Sequence, residues 1–257
     1  MNGRTSQIGF SSQRIRYQWM VQTASWLLAG LTRDEVKSEL LSYLAGWLAD
    51  TGSSARSSRD KAATILLRTW IMPDVDLTEL RNDGRTLLES LPNKDQIAVH
   101  WGMITATYPY WGSVANSAGR LLRLQGFIEA VQIQRRLKEK WGDRELVARA
   151  TRNVIRSFID WGVLTETDDK GVYKKGDHYS IQDPKLIAWL VEASLCARAD
   201  GSAIIEDLLD GTSLFPFQLA RVSAERIVSF SPRLDLLRHG LDENLLMLRK
   251  GFGTQGS

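Results

Sequence analysis

The sequence contains few of the residues that form covalent cross-links or metal centres. Among its 257 residues are one cysteine, Cys196, and three histidines. A single cysteine excludes a disulfide within the chain and favours a reducing cytoplasm. The histidines His100, His178 and His239 stand far apart, with no cysteine or carboxylate at metal-ligand spacing. We therefore expect no metal and no cofactor.

Long apolar runs are also missing. The longest candidate, residues 24–31, is far shorter than the roughly 18 residues that a membrane-spanning helix needs. The N-terminus has Arg4, Arg14 and Arg16 but no apolar signal core after them, so no secretory signal is predicted. The sequence therefore predicts a cytoplasmic protein that does not bind a membrane.

Motifs of catalysis are absent as well. The chain has no Walker A sequence and no G-x-G-x-x-G. Asp168-Asp169 is more typical of a turn than of a catalytic acidic pair. Cys196 lies among apolar residues of a predicted helix, where a thiol usually acts as a small hydrophobic side chain. We therefore expect a protein that is not an enzyme.

What is present is an ordinary globular composition with an uneven distribution of charge. Hydrophobic residues make up 43% and charged residues 25%, and nine tryptophans lie mostly among other apolar residues. Residues 112–162 contain ten basic and five acidic residues, a net charge of +5, whereas residues 183–210 carry −4. A basic middle beside an acidic flank suits a surface that binds a polyanion.

The most informative stretch is residues 143–164, DRELVARATRNVIRSFIDWGVL. At 3.6 residues per turn its apolar side chains collect on one face of a helix. They are Val147, Ala150, Val154, Phe158 and Trp161. The other face carries Arg149, Arg152, Asn153 and Arg156, at i, i+3, i+4 and i+7. This pattern predicts an amphipathic helix with one apolar and one basic face.

The neighbouring segments match a known DNA-binding arrangement. A predicted helix over residues 127–141 precedes the basic helix, and Gly142-Asp143 makes a short turn between them. Gly162 can end the basic helix, and residues 163–167 and 172–174 then form a predicted hairpin around the turn 168–171. Helix, tight turn, basic helix and hairpin is the order of a winged helix-turn-helix.

This order predicts a protein that binds double-stranded DNA. The basic helix would enter the major groove, where arginine can pair with guanine and asparagine with adenine, and the hairpin lysines would contact phosphates. The residues expected to do so are Arg144, Arg149, Arg152, Asn153, Arg156, Lys174 and Lys175. Arg120, Arg123, Arg135 and Arg136 would widen the basic surface.

Two alternatives to DNA binding stay open. An arginine stripe is often only a solvated helix face, and a winged helix can dock proteins, so a protein–protein adaptor is the main alternative. A regulator that senses a ligand through its C-terminal region is the second. Pairing of the stripe with acids such as Asp207 or Asp210 would weaken the DNA hypothesis, whereas an open positive face would strengthen it.

A second candidate helix-turn-helix lies near the N-terminus. Thr32 and Glu35 form a capping-box pattern that starts a helix running to about residue 50. A small-residue loop over 51–58 follows, and then a helix over 59–72 that opens with Arg59 and Lys61. These two residues are secondary candidates for DNA contact, because the loop is long for a tight turn.

Taken as a whole, the sequence predicts a mainly α fold with small β-hairpins. A helical N-terminal domain (1–111) with the candidate helix-turn-helix precedes the winged helix-turn-helix (112–182). A mixed α+β C-terminal region (183–250) and a disordered tail (251–257) follow. The aromatic residues 108–112 would pack the first domain against the second, although their rings could instead stack on bases.

Several segments of the first two-thirds of the chain, to near Leu164, resemble a known family. They are ASWLLAGLTRDEVKSELL, SSRDKAATILLRTW, YPYWGSVANSAGRLLRLQGFIEAVQIQRRLKEKWGD and DWGVL. Their order is similar to that of BrxA, the small DNA-binding component of bacterial BREX phage-exclusion systems. The resemblance implies a non-enzymatic, mostly helical DNA-binding protein. Its partners would be other defence-system proteins, namely methyltransferase, ATPase and phosphatase-like components.

Overall fold

The structure is a computed structural model that describes residues 8–10, 13–48, 57–142, 144–239 and 243–249. It is mainly helical with small sheets, as the sequence predicts. The predicted disordered tail, most of the loop 51–58 and Asp143 of the predicted turn lie outside the described residues.

The N-terminal part of the described chain consists of helices. They are α1 (Tyr17–Leu28), α2 (Arg33–Ala45), α3 (Ser58–Trp70), α4 (Thr78–Ser90) and α5 (Asn93–Thr107). Two of them begin with a capping box, in which a hydroxyl and a carboxylate satisfy N–H groups of the first turn. Thr32 and Glu35 form the predicted box of α2, and Ser57 and Asp60 form one at α3.

The middle part combines helices with one small antiparallel sheet. Its elements are α6 (Pro109–Gln125), β1 (Phe127–Glu129), α7 (Ala130–Trp141), α8 (Glu145–Asp160), β2 (Leu164–Glu166) and β3 (Val172–Lys175). The strand order is β1-β3-β2. The predicted hairpin is confirmed, since β2 pairs with β3.

One sequence-based boundary of this part is wrong. Phe127–Glu129 forms a strand rather than the start of a helix, because the hairpin strand β3 offers it a pairing edge. Helix α6 begins at Pro109, since proline is well accommodated at the first helical position. Helix α6 consequently runs through the predicted domain boundary at 111/112.

The C-terminal part is a mixture of short strands and helices. They are β4 (Tyr179–Ile181), α9 (Pro184–Cys196), β5 (Ser202–Ile204), α10 (Ile205–Leu209), β6 (Phe217–Leu219), α11 (Ala224–Phe230), β7 (Leu234–His239) and β8 (Glu243–Leu248). Strands β4 and β6 pair in parallel, and β8 lies between β5 and β7. Residues 202–204 form a strand, because β8 pairs with them.

A cluster of aromatic rings joins the three parts. Trp101 of α5 stacks on Phe158 of α8 with a centroid distance of 5.0 Å, and Trp111 of α6 meets Phe158 edge-on at 4.8 Å. Phe215 of the C-terminal part lies 5.6 Å from Trp101. The aromatic residues 108–112 are buried. Their packing role is confirmed, and base stacking by these rings is ruled out by their burial.

Gly84 explains how α4 approaches α9 closely. A Cβ atom at Gly84 would lie 2.9 Å from the indole of Trp189, which donates its N–H to the Leu80 carbonyl oxygen at 2.8 Å. Glycine costs a helix interior about 1 kcal/mol relative to alanine. At this position the missing side chain makes room for a buried tryptophan, so the glycine serves tertiary packing.

Candidate nucleic-acid interface

Helix α8 is amphipathic in the structure, as its sequence predicts. Its buried residues include Val147, Ala150, Val154 and Phe158, which are all fully enclosed. The hydroxyl group of Tyr110 binds the Val147 carbonyl oxygen at 2.9 Å and fixes the helix to α6. Because one face is held by the core, the opposite face is presented to solvent.

The solvent face carries a row of three arginines, Arg149, Arg152 and Arg156, which are all exposed. Arg149 pairs with Glu145 one turn earlier at 2.6 Å, and its side chain remains 52% exposed. The hydrogen bond from Arg149, its charge and the charge of Arg152 lower the pKa of Glu145. Exposed pairs of this kind contribute little stability, so a competing anion can replace Glu145.

Arg152 and Arg156 are open cations. Within the part of the chain that the structure describes, neither makes an ion pair with an acidic side chain. Asp207 and Asp210, whose pairing with the row would have weakened the DNA hypothesis, form no ion pair with it among the described residues. Asp210 pairs with Arg221 at 2.9 Å, and Asp207 has an exposed carboxylate on α10.

Asn153 does not point outward with the arginines, contrary to the prediction. It is half-buried, and its side-chain amide donates to the carbonyl oxygen of Phe10 at 2.7 Å. One turn later the Ser157 hydroxyl accepts from the Ile15 N–H at 2.8 Å. Asn153 therefore holds Phe10 against α8, and Ser157 holds Ile15. The hydrogen-bond partner of Asn153 lies 143 positions away in the chain, so the helical pattern of α8 could not predict this role.

The hairpin lysines Lys174 and Lys175 are both exposed but point to opposite faces of the sheet. Lys175 is paired with the buried Leu164 and shares its face, whereas Lys174 is paired with Thr165 on the outer face. The period of two in a strand could have shown this from the sequence. Only Lys175 lies on the face that is turned towards the helices.

Tyr173 precedes these lysines in β3 and lies near Arg156 of α8, and it was not predicted from the sequence. It is paired with the buried Ile128, so it shares the helix-facing side of the sheet. Partial burial, followed by the charge of Glu166, raises the pKa of Tyr173, and the nearby Arg156 opposes that shift. The phenol therefore borders the arginine row on the strand side and stays protonated at neutral pH.

The hairpin turn is acidic. Asp168 and Asp169 are exposed at its tip, and Lys170 is the only basic residue among positions 168–171. The Thr167 hydroxyl donates to the carbonyl oxygens of Asp169 and Val172, which shapes the turn. Two carboxylates at the tip disfavour contact with phosphates, so a duplex on α8 would meet the base of the hairpin rather than its tip.

The remaining predicted basic residues are spread over other surfaces. Arg144 is exposed directly before α8. Arg59 and Lys61 are half-buried in the first turn of α3 and are not part of the α8 row. Arg123 donates to the Asp210 carbonyl oxygen at 2.6 Å, so its guanidinium is turned towards the C-terminal part.

A cavity of about 700 Å³ between α6, α7, α9 and α10 bears on the ligand-sensor alternative. Several of its polar groups bind one another: Arg198 pairs with Asp200 at 3.4 Å, and Thr212 donates to the Asn116 side chain. Because these groups already have partners in the protein, their arrangement does not specify a ligand.

His100 and Cys196, which were considered for catalysis or metal binding, are packed against other side chains of the fold. His100 is fully buried between Tyr17 and Trp70, and burial lowers its pKa to about 3. Cys196 is half-buried at the end of α9. Among the described residues no three Cys, His, Asp or Glu side chains are grouped as a metal site would require.

Comparisons with protein-family models, with curated proteins and with solved structures found no match for this chain. Across the described residues no helix combines the length and the apolar character that a bilayer crossing requires.

Proposed function

We propose that residues 109–175 form a winged helix-turn-helix and that the protein binds double-stranded DNA without catalysing a reaction. The order helix, strand, helix, helix, strand, strand supports this proposal, together with the β1-β3-β2 sheet. In helix-turn-helix proteins the second helix of the pair lies in the major groove. Here that helix is α8.

The observation that carries the proposal is the exposed row formed by Arg149, Arg152 and Arg156. From the first to the last, the row extends about 10 Å along the helix axis, since each residue adds about 1.5 Å. The major groove is about 12 Å wide and accepts a helix of this diameter. Each arginine that pairs with a guanine would contribute about 1–3 kcal/mol of discrimination against the wrong base.

The flanking cations position the duplex. Arg144 directly precedes α8, Lys175 lies on the helix-facing side of the hairpin, and Lys174 extends the charge to the outer face of the sheet. Contacts with phosphates orient a protein on DNA without reading sequence. Arg59 and Lys61 form a secondary candidate site on α3.

A defence-system role is proposed on sequence resemblance alone. The segments similar to BrxA lie in α1, α2, α3, α6 and α7 and at the end of α8, and the arginine row lies between the last two of them. On that basis the DNA-binding activity would serve a BREX-like phage-exclusion system, and other proteins of that system would be partners.

Binding to duplex DNA over a salt series tests the proposal. The observed affinity falls with a log–log slope of about −0.9 for each phosphate contact. The variant Arg149→Ala/Arg152→Ala/Arg156→Ala should bind more weakly and reduce the steepness of this slope by up to about 2.7. A matched control, Arg85→Ala/Arg221→Ala/Arg226→Ala, removes the same charge from exposed positions elsewhere and should bind like the native protein.

The alternative outcomes are informative. Steep binding that the α8 variant leaves unchanged would move the site, with Arg59 and Lys61 as the next residues to replace. Absence of binding even at low salt would contradict DNA binding. Circular dichroism on each variant shows whether the helices are intact.

A protein partner is the second candidate, because two large apolar side chains are exposed on either side of β1. Leu124 at the end of α6 is 68% exposed, and Val131 at the start of α7 is 72% exposed. The acidic turn with Asp168 and Asp169 also suits a basic protein surface better than DNA. Substitution of Leu124 and Val131 by serine should leave DNA binding unchanged, and a loss of affinity for a co-purified partner would support the adaptor role.

A further inference from the structure

We infer that residues 13–16, which run beside α8, form a second flank of the DNA-binding face and supply Arg14 as a phosphate contact. This inference rests on the proposed function and extends it to a part of the chain far from α8 in sequence. The hairpin borders the arginine row on one side. The N-terminal segment borders it on the other.

The segment is fixed to α8 by several specific hydrogen bonds. Arg16 pairs with Asp160 at 2.8 Å, and the Tyr17 N–H donates to the same carboxylate at 3.1 Å. The indole N–H of Trp161 donates to the Ile15 carbonyl oxygen at 2.9 Å. With the bonds from Asn153 and Ser157, contacts extend along α8 from its middle to its end. The segment therefore has a defined register on the helix.

This register places Arg14 level with Arg156. Ile15 is fully buried, so its neighbours Arg14 and Arg16 project to the other side of the segment. Two residues of extended chain cover about 6–7 Å, and the four residues from Asp160 back to Arg156 cover about 6 Å of helix. Because Arg16 reaches Asp160, Arg14 lies one helical turn earlier, beside Arg156.

Arg14 is available to bind an anion. It is partly exposed, and among the residues that the structure describes no carboxylate forms an ion pair with it. Arg16, by contrast, forms an ion pair with Asp160, and its guanidinium carbon lies 4.7 Å from the centre of the Trp47 ring. Of these two neighbouring arginines, Arg14 is therefore the one whose charge is not neutralised by the described part of the protein.

The position of Arg14 favours a phosphate over a base. A helix in the major groove has a phosphate strand on each side, since the groove is only about 12 Å wide. On the strand side Tyr173 lies near Arg156 and Lys175 shares its face of the sheet, and Arg14 borders the row on the side of the N-terminal segment. Asn153 acts as a positioning residue, since it binds Phe10, which precedes the segment in the chain.

The test compares Arg14→Ala, Arg14→Lys and the control Arg226→Ala, using a duplex that the native protein binds. Arg14→Ala should lower the steepness of the salt slope by about 0.9 and the affinity at 0.1 M salt by about eightfold. Arg14→Lys should restore most of both, since a phosphate accepts either cation. Arg226→Ala, on α11, should match the native protein.

A phosphate-ethylation interference experiment gives a readout that stability does not affect. Native protein should lose binding when one phosphate beside the bound groove is ethylated, and Arg14→Ala should be insensitive to that same ethylation. Asn153→Ala should weaken binding in the native background and have no further effect in Arg14→Ala, because the two residues act through one contact.

The inference and the proposed function fail in different ways. If Arg14→Ala binds with the native slope while the triple α8 variant loses binding, the inference is wrong and the proposed function stands. If the triple variant binds like the native protein, the proposed DNA site itself is wrong. If the loss in Arg14→Ala is the same for every ethylated duplex, a direct phosphate contact is contradicted.

Discussion

Helices α3 and α8 look alike in sequence, since each follows a loop that contains glycine. Each also carries basic residues in or just before its first two turns. The structure separates them. The seven buried residues of α3 crowd positions 62–70, and its Arg59 and Lys61 are half-buried. The seven buried residues of α8 lie along one face of 16 residues, so its arginines form an open row. Similar sequence patterns thus lead to different helix surfaces, because the elements packed around a helix decide which of its faces are buried.

The beginnings of the two helices differ as well. The first turn of α3 is closed by the reciprocal bonds of Ser57 and Asp60, which stabilise an isolated helix end. Helix α8 begins at Glu145, and the preceding Arg144 makes no side-chain capping bond among the described residues. Helix α3 is therefore stabilised both locally and by its packing, whereas α8 depends on its buried face. Four predictions test this contrast.

The largest effect is expected from the buried face of α8. Phe158→Ala should reduce the free energy of unfolding by about 3–5 kcal/mol, because the ring is fully buried against Trp101 and Trp111. Chemical denaturation measures the loss. Arg152→Ala, on the opposite face, should change stability by less than about 0.5 kcal/mol. Equal losses in the two variants would contradict the division of α8 into two faces.

The next effect concerns DNA affinity. Arg152→Ala/Arg156→Ala should weaken duplex binding about 60-fold at 0.1 M salt, if each arginine provides one phosphate-equivalent contact. Arg59→Ala/Lys61→Ala removes the same charge from α3 and should weaken binding less than about threefold, since neither residue belongs to the α8 row. Fluorescence anisotropy on both variants makes the comparison. The reverse order would assign the DNA site to α3.

A buried histidine tests the packing that holds α3. The ring of His100 lies edge-on to Trp70 of α3 at 5.3 Å, and burial lowers its pKa to about 3. The unfolded chain takes up a proton near pH 6.5 while the folded protein stays neutral, so stability falls as the pH drops below that value. Between pH 7 and pH 5 the native protein should lose about 2 kcal/mol more than His100→Phe. Parallel pH curves for the two proteins would contradict a buried neutral histidine.

The smallest effect is local to the start of α3. Ser57→Ala should cost about 1 kcal/mol of stability, because a helix N–H loses its partner. Arg144→Ser adds a capping hydroxyl to α8 and should stabilise by a similar amount while it lowers DNA affinity. Thermal unfolding of both variants shows whether the melting temperature falls in Ser57→Ala and rises in Arg144→Ser. Loss of stability in Arg144→Ser would show that the start of α8 is organised by other contacts.

Much of the helical architecture could be predicted from the sequence, because helices are specified by residues close together in the chain. The Thr32–Glu35 box, the period of apolar residues in α8 and the hairpin around positions 168–171 are all local patterns, and each is present in the structure. The arginine row follows from the same helical period. For these features a single stretch of chain contains the necessary information.

Tertiary contacts alone decided the rest. The strand at Phe127–Glu129 exists because β3 lies beside it, and Asn153 faces Phe10 because the N-terminal segment packs along α8. Whether Arg152 and Arg156 form ion pairs likewise depends on where distant acids such as Asp210 lie. Such pairings join residues far apart in the chain, and their free energy depends on how the whole core brings them together. The sequence therefore determined which face of α8 is basic, and the tertiary structure decided what borders that face and which of its side chains can bind a ligand.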